Sequence, residues 1–238
     1  PFEFDATGFL SKDVNELSLS VRDVSDTSYH SRGKQKLKRG GIWYTPQSGI
    51  WQTVWAECIP KDCVRSLHIT SDFDHACVNV RADVVGESKA YALFDGQQYP
   101  LPASIPVPGF EPWSPENPKL YDFSVICGAD RVESYFAMRK FSVEADENGV
   151  KRLFLNGKPY FHNGLLDQGY WSDGMYTAPS DEALIFDIQT AKDMGFNMLR
   201  KHIKIEPLRW YYHCDRLGML VWQDMINGGG SYNPAVIS

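Results

Sequence analysis

The chain has 238 residues, 43% of them hydrophobic and 23% charged, with a formal net charge of −6. That composition suits a folded protein of two or three domains and excludes a chain disordered throughout. The acidic balance argues against a nucleic-acid partner, which needs a basic stripe, and no apolar run reaches the roughly 18 residues of a membrane-spanning helix, so no membrane partner is expected.

The chain opens PFEFDATGFL, with neither an initiator Met nor a signal peptide, and reads as the interior of a longer protein. The run NELSLSVRD (15–23) alternates Leu17, Leu19 and Val21 with polar residues, the period-2 pattern of a half-buried strand. The basic cluster RGKQKLKRG (32–40) is short and flanked by glycine, as in a solvated loop. GIWQTVWAECIP (49–60) reads as a second strand, stopped by proline. VRSLHIT, HACVNVRADVV and KAYALFD follow at close spacing, the last closed by the hairpin-type turn Asp95-Gly96. LYDFSVIC and ESYFAMRKFSV continue a series of short strands that indicates a sandwich. Between them, PASIPVPGFEPWSPENP carries six prolines from Pro102 to Pro118, so it cannot be a central strand and is expected as an extended loop.

Near residue 150 the pattern changes. LFLNGKPYF (153–161) is a hairpin around Asn156-Gly157, and a strand FHNGLL follows. In SDEALIFDIQTAKDMG, Ser180 is a candidate N-cap and Asp181 and Glu182 fall where a helix dipole favours anions. Leu184, Ile185, Ile188, Ala191 and Met194 form its apolar stripe, and Gly195 is the stop. The strand FNMLR, the helix PLRWYYHCDRL ended by Gly218, and the strand MLVWQD complete an alternation that predicts a parallel sheet with helical crossovers.

Five cysteines, Cys58, Cys63, Cys77, Cys127 and Cys214, form no Cys-x-x-Cys and are odd in number. Reduced thiols are expected instead of a disulfide framework, which leans towards a cytoplasmic setting over a periplasmic or secreted one. His213-Cys214 has no second pair at metal-site spacing, so no metal centre is read from it.

In parallel α/β units, ligands sit at the carboxyl ends of the strands. Alternation places Met198, Arg200 and His202 on one face of their strand, Leu220, Trp222 and Asp224 on one face of the next, and Asn163, Leu165 and Asp167 on one face of the first. Each residue alone has a plain structural role: Arg200 can pair a helix carboxylate, His202 can cap a carbonyl, Trp222 can fill a core and Asp224 can cap a loop. Together, on three successive strand tips, they supply a fork of donors, an imidazole, carboxylates and a flat aromatic face, which suit vicinal hydroxyls on an apolar ring. The expected ligand is a carbohydrate.

The segment GFNMLRKHIKIEPLRWYYHCDRLGMLVW resembles the first barrel signature of glycoside hydrolase family 2, which includes β-galactosidases and β-glucuronidases. Asn197, Arg200, Asp215 and Gly218 fit that pattern. His202 stands two residues after Arg200 where the pattern has three, and IKIEP replaces a Tyr-Pro step. SGIWQTVWAECIP and PFEFDATGFLSKDVNELSLSVRDVSD resemble parts of the family's sugar-binding jelly roll. The resemblance implies a multidomain β plus α/β chain: part of a jelly-roll sandwich over 1–60, an immunoglobulin-like β-sandwich over 61–143, and the first part of a (β/α)8 barrel over 144–238. It implies a retaining β-glycosidase with two glutamates about 5–5.5 Å apart, one acid/base and one nucleophile. The only Asn-Glu pair is Asn15-Glu16, outside the barrel segment. Neither catalytic glutamate is therefore assigned, and the chain alone is expected to be inactive. By resemblance Arg200 and His202 contact the sugar, as does Asp26 in SDTSY, while Asp167, Trp222 and Asp224 follow from the strand tips. The resemblance also admits a magnesium or sodium ion and a homo-oligomer. The competing reading is a non-catalytic carbohydrate-binding or scaffolding module.

Overall fold

A computed structural model of the chain describes residues 3–27 and 30–227. The residues up to Trp51 belong to one compact unit, and Gln52–Asn227 form another.

In the first unit the described residues form no strand, only isolated bridges such as Gln35 with Tyr44 and Gly40 with Trp43. The strand expected over 15–23 is absent: Leu17, Leu19 and Val21 are 76%, 52% and 53% exposed. Alternation prepares one face for burial, but a strand exists only where a neighbour supplies the ladder, and none pairs here. The same holds for 49–60, most of which belongs to the second unit: Val54, Trp55 and Ile59 are exposed and no strand forms. The basic cluster is a loop, yet not wholly solvated, because the Lys36 ammonium lies 4.3 Å from the centre of the Trp43 ring.

The second unit begins with a β-sandwich. β1 (Cys63–Asp72), β2 (Cys77–Val85) and β5 (Ala103–Pro106) make one antiparallel sheet in the order β1-β2-β5. β3 (Ala90–Phe94), β4 (Gln97–Pro100), β6 (Tyr121–Cys127) and β7 (Asp130–Phe136) make the other, in the order β4-β3-β6-β7. Val78, Val80 and Ile105 of the first sheet and Ala92, Phe123, Val125 and Phe136 of the second share one buried core. The β3–β4 hairpin turns at Asp95 and Gly96, with φ of 48° and 73°, the left-handed pair a two-residue hairpin requires. The proline-rich segment is not all loop, because four of its residues form β5. Its register leaves it on the sheet edge, where a proline's missing ladder donor is tolerated.

β8 (Phe141–Ala145), β9 (Lys151–Leu155) and β10 (Lys158–Pro159) form a small antiparallel sheet in the order β10-β9-β8. β11 (Gly164–Asp167), α1 (Asp181–Asp193), β12 (Met198–Lys201), α2 (Leu208–Leu217) and β13 (Leu220–Gln223) then give a parallel sheet in the order β11-β12-β13. The Ser180 side chain accepts the Ala183 backbone N–H, so the cap expected from the sequence forms. Leu184, Ile188 and Ala191 bury one stripe of α1 against Trp210 and Cys214 of α2, while Met194, at the cap, is 68% exposed and leaves the stripe. Gly218 ends α2 with φ of 76°, and a Cβ there would stand 2.5 Å from the Pro115 carbonyl oxygen.

One constellation fastens α2 to the sandwich. Asp215 accepts from Arg139 Nη1 at 2.6 Å and from the Tyr135 hydroxyl at 3.0 Å, and its carbonyl accepts from Trp113 Nε1 at 2.7 Å. The Arg139 guanidinium lies 4.5 Å from the centre of the fully buried Trp113 ring. Replacing Asp215 with Ala strands the Tyr135 hydroxyl and Arg139 together. The expected cost is about 2–3 kcal/mol in urea unfolding, with faster amide exchange in α2; an unchanged midpoint would show that the contact holds nothing.

Candidate functional site

The parallel register sets Leu166, Arg200 and Trp222 side by side, and Asp167, Lys201 and Gln223 one step further along. Leu199 and Val221 pack with Leu184, Ile188 and Trp210, so their face of the sheet is the helix face. Met198 and Leu220 pack with Trp113 and Tyr160 on the opposite face. Alternation then puts Arg200, Trp222 and Leu166 on the face away from the helices, and Lys201 and Asp167 on the helix face.

On the open face Arg200 and Asp224 form a two-pronged pair, Nε to Oδ1 at 3.1 Å and Nη2 to Oδ2 at 2.9 Å. His202 Nε2 lies 3.8 Å from the same Oδ2, with its side chain 18% exposed. The Gln168 amide lies 3.4 Å from His202 Nδ1. Donation from that amide makes Nδ1 an acceptor and leaves Nε2 to carry a proton towards Asp224. Trp222 is 44% exposed, and its Nε1–H donates to His162 Nδ1 at 2.9 Å. Burial holds the His162 imidazole below its ordinary pKa, so the ring stays a neutral acceptor. Backbone bonds align the tips: His202 N donates to the Asp167 carbonyl at 2.8 Å and Asp224 N to the Lys201 carbonyl at 3.1 Å.

The helix face carries a buried ion network. Lys201 and Lys204 are each 1% exposed, and Glu206 is 4% exposed. Lys201 Nζ donates to Asp167 Oδ2 at 2.7 Å and to Glu206 Oε1 at 2.9 Å, and lies 4.2 Å from the centre of the Trp210 ring. Lys204 Nζ lies 2.9 Å from that same Oε1 and donates to the carbonyls of Gly169 at 2.5 Å and Tyr176 at 2.8 Å. Burial lowers the Lys204 pKa, opposed by the charge of Glu206. Gly169, with φ of 62°, is required here: a Cβ would fall 2.3 Å from Glu206 Oε1.

Of the residues expected at the site, Arg200, His202, Trp222 and Asp224 come together on the open face. Asp167 does not. It faces the helices, paired with Lys201, because the true phase of β11 runs through His162, Gly164, Leu166 and Gln168. Asp26 lies in the first unit, where its Oδ2 accepts the Leu37 N–H at 3.3 Å. Gln168 and His162 are additions that the sequence conceals behind that one-residue shift. Among the described residues no group of three or more His, Cys, Asp or Glu side chains is arranged to hold a metal ion. No helix there is long and apolar enough to cross a membrane.

No family model matches the chain. It is similar to the β-galactosidase of Photobacterium profundum, 28% identical over 253 residues that cover 93% of this chain and 23% of that protein. It is similar to the β-galactosidase of Streptococcus thermophilus, 25% identical over 242 residues, 93% of this chain and 22% of that protein. The chain therefore spans under a quarter of the length of these curated relatives. Its fold matches a GH2 β-galacturonidase from Eisenbergiella tayi, with a TM-score of 0.61 and 20% identity, over 71% of this chain and 33% of that one. It also matches a Faecalibacterium prausnitzii β-glucuronidase, with a TM-score of 0.60 and 21% identity, over 68% of this chain and 28% of that one. The resemblance to glycoside hydrolase family 2 stands on these matches.

Two predictions concern the buried network. Glu206→Gln leaves two buried ammonium groups facing a neutral amide and is expected to cost about 3–5 kcal/mol in urea unfolding. A cost below about 1 kcal/mol would rank it with exposed pairs. The second concerns pH. Burial, then Glu206, pushes the Tyr176 phenol up to about 12, and burial likewise raises Tyr135, Tyr160 and Tyr211. A phenol raised in the folded state gives stability fully present below its unfolded pKa of about 10 and lost as pH climbs. Lys204 and Lys192, lowered by burial, act oppositely, but only up to about pH 10.5, their unfolded value. Urea midpoints are therefore expected to fall steadily above about pH 10.5; a flat or rising midpoint would contradict the buried phenols.

Proposed function

We propose that the chain supplies one wall of the sugar site of a retaining β-glycosidase of the β-galactosidase type. On this reading residues 1–60 belong to a jelly-roll domain, 61–143 to an immunoglobulin-like sandwich, and 144–238 to the start of a (β/α)8 barrel. The observation that carries it is the convergence of Arg200, His202, Asp224, Gln168 and Trp222 on one face of three parallel strand tips. Similarity to two β-galactosidases over 93% of the chain supports the class of reaction.

Charge selects among the sugars. Arg200 is matched by Asp224, and Lys201 and Lys204 by Asp167 and Glu206. A hexuronide brings a carboxylate that needs a cation of its own, and these described cations are already paired. A neutral hexopyranoside asks only for hydroxyl partners, which Asp224, His202 and Gln168 provide. Glu206 is no candidate for acid/base or nucleophile, because it is buried on the helix face between two ammonium groups. Both catalytic glutamates are assigned to polypeptide outside this chain, so the 238 residues alone hold sugar without cleaving it.

The complete reading frame and the 238-residue chain are to be assayed side by side on nitrophenyl β-galactoside and β-glucuronide. The complete protein is expected to turn over the galactoside at a kcat/KM at least about tenfold higher, the worth of one charged hydrogen bond, and the chain alone neither substrate. Equal rates on both sugars would defeat the charge assignment. Turnover by the chain alone would defeat the assignment of the glutamates, and an inactive complete protein the glycosidase reading itself.

A further inference from the structure

Trp222 presents its parts the wrong way round for a core residue. Hydrophobic packing buries an indole's hydrocarbon faces and leaves its N–H at the rim to find water or a partner. Here the N–H is paired with His162 Nδ1 at 2.9 Å, while the residue is 44% exposed in this 238-residue chain. His162 reaches Trp222 across the intervening strand β12. The two rings meet with centroids 5.7 Å apart and planes at 70°. An indole N–H lies in the plane of its ring, so a partner on it touches the edge and covers neither face. The His162 ring is itself steadied by Tyr160, edge-on at 6.1 Å.

We propose that His162 is a positioning residue for the sugar site: its Nδ1 fixes the rotation of the Trp222 indole, so that an open aromatic face stands beside the Arg200–Asp224 pair as a platform for the apolar face of a pyranose. The proposal rests on the carbohydrate reading above and adds to it a residue outside the three strands. Arg200 lies directly opposite Trp222 in the register, so the indole and the Arg200–Asp224 pair belong to the same face of the sheet. The device requires a neutral imidazole. His162 Nε2 is sealed from solvent with no partner among the described residues, and desolvation of the ring disfavours a second proton. Without the hydrogen bond the indole turns freely about its side-chain bonds, and stacking then costs the entropy of stopping it.

The test is a double-mutant cycle in the complete enzyme on nitrophenyl β-galactoside. His162→Leu is expected to raise KM about threefold to tenfold, the worth of one hydrogen bond, with kcat held within about twofold. His162→Gln, which keeps an acceptor, restores most of the KM. Trp222→Leu raises KM at least as much, and adding His162→Leu to it changes nothing further, because the histidine acts only through the indole. Additive effects, or loss of kcat with KM unchanged, would overturn the positioning role while leaving the sugar reading intact. An inactive wild-type enzyme would remove the reading and the proposal together. Thermal melting of the same four proteins guards against misfolding: a KM rise in His162→Leu that follows a general loss of folded protein, and is not rescued by His162→Gln, counts against it.

Discussion

Two lysines with almost no access to water lie behind the strand tips, and the order of the tips depends on how their charge is met. An ammonium taken out of water loses many times what one ordinary hydrogen bond returns, so it is tolerated only where carboxylates and carbonyls surround it. Lys201 meets Asp167 and Glu206, and Lys204 meets Glu206 and two carbonyls from the ends of the 169–176 loop. Each bond ties a different piece of chain to the end of β12: the tip of β11, the loop that follows it, and the approach to α2. Because alternation is strict, a lysine held on the helix face forces its neighbours Arg200 and His202 onto the other face. The run Arg200-Lys201-His202 is thus two structures in one stretch: an anchor flanked by two groups presented to the opposite side.

That division explains what was legible in the sequence. The parallel sheet, both helices, the Ser180 cap and the Asn156-Gly157 turn follow from local periodicity and turn chemistry, which act over a few residues and survive in any context. Alternation sets Arg200, His202, Trp222 and Asp224 on one face because β12 and β13 each hold their phase without interruption. Alternation read from Asn163 misses the face of Asp167, because β11 is only four residues long and its phase comes from its register with Met198, a partner 34 positions away from Gly164. Glu206 and Lys204 had a readable signal: a charged residue at an inward position demands an opposite charge, and Glu206 is near at hand. The strands expected before residue 60 illustrate the reverse limit. Their alternation is real, but pairing is a property of two segments, and one alone fixes nothing.

Neutralisation has a further consequence for the open face. The lysine network and the Arg200–Asp224 pair each cancel their own charge, so the tips present directional donors and acceptors with little net field. On the proposed carbohydrate reading, such a surface distinguishes ligands by the direction of their hydroxyls more than by their charge.

The anchoring of α2 by Asp215 completes the logic from the other end. Trp113, Arg139 and Tyr135 come from the sandwich, and they grip the helix that leads into β13. β13 carries Trp222 and is followed at once by Asp224, so the sandwich acts on the tips through the position of that one strand. The lysine network fixes β11 and β12 from the helix face, and the Asp215 cluster fixes the helix before β13 from the sandwich. Arg200, on β12, and Asp224, just past the end of β13, meet only if both constraints agree. Their two-pronged contact, with distances of 3.1 and 2.9 Å, is the point at which the two supports are brought into register.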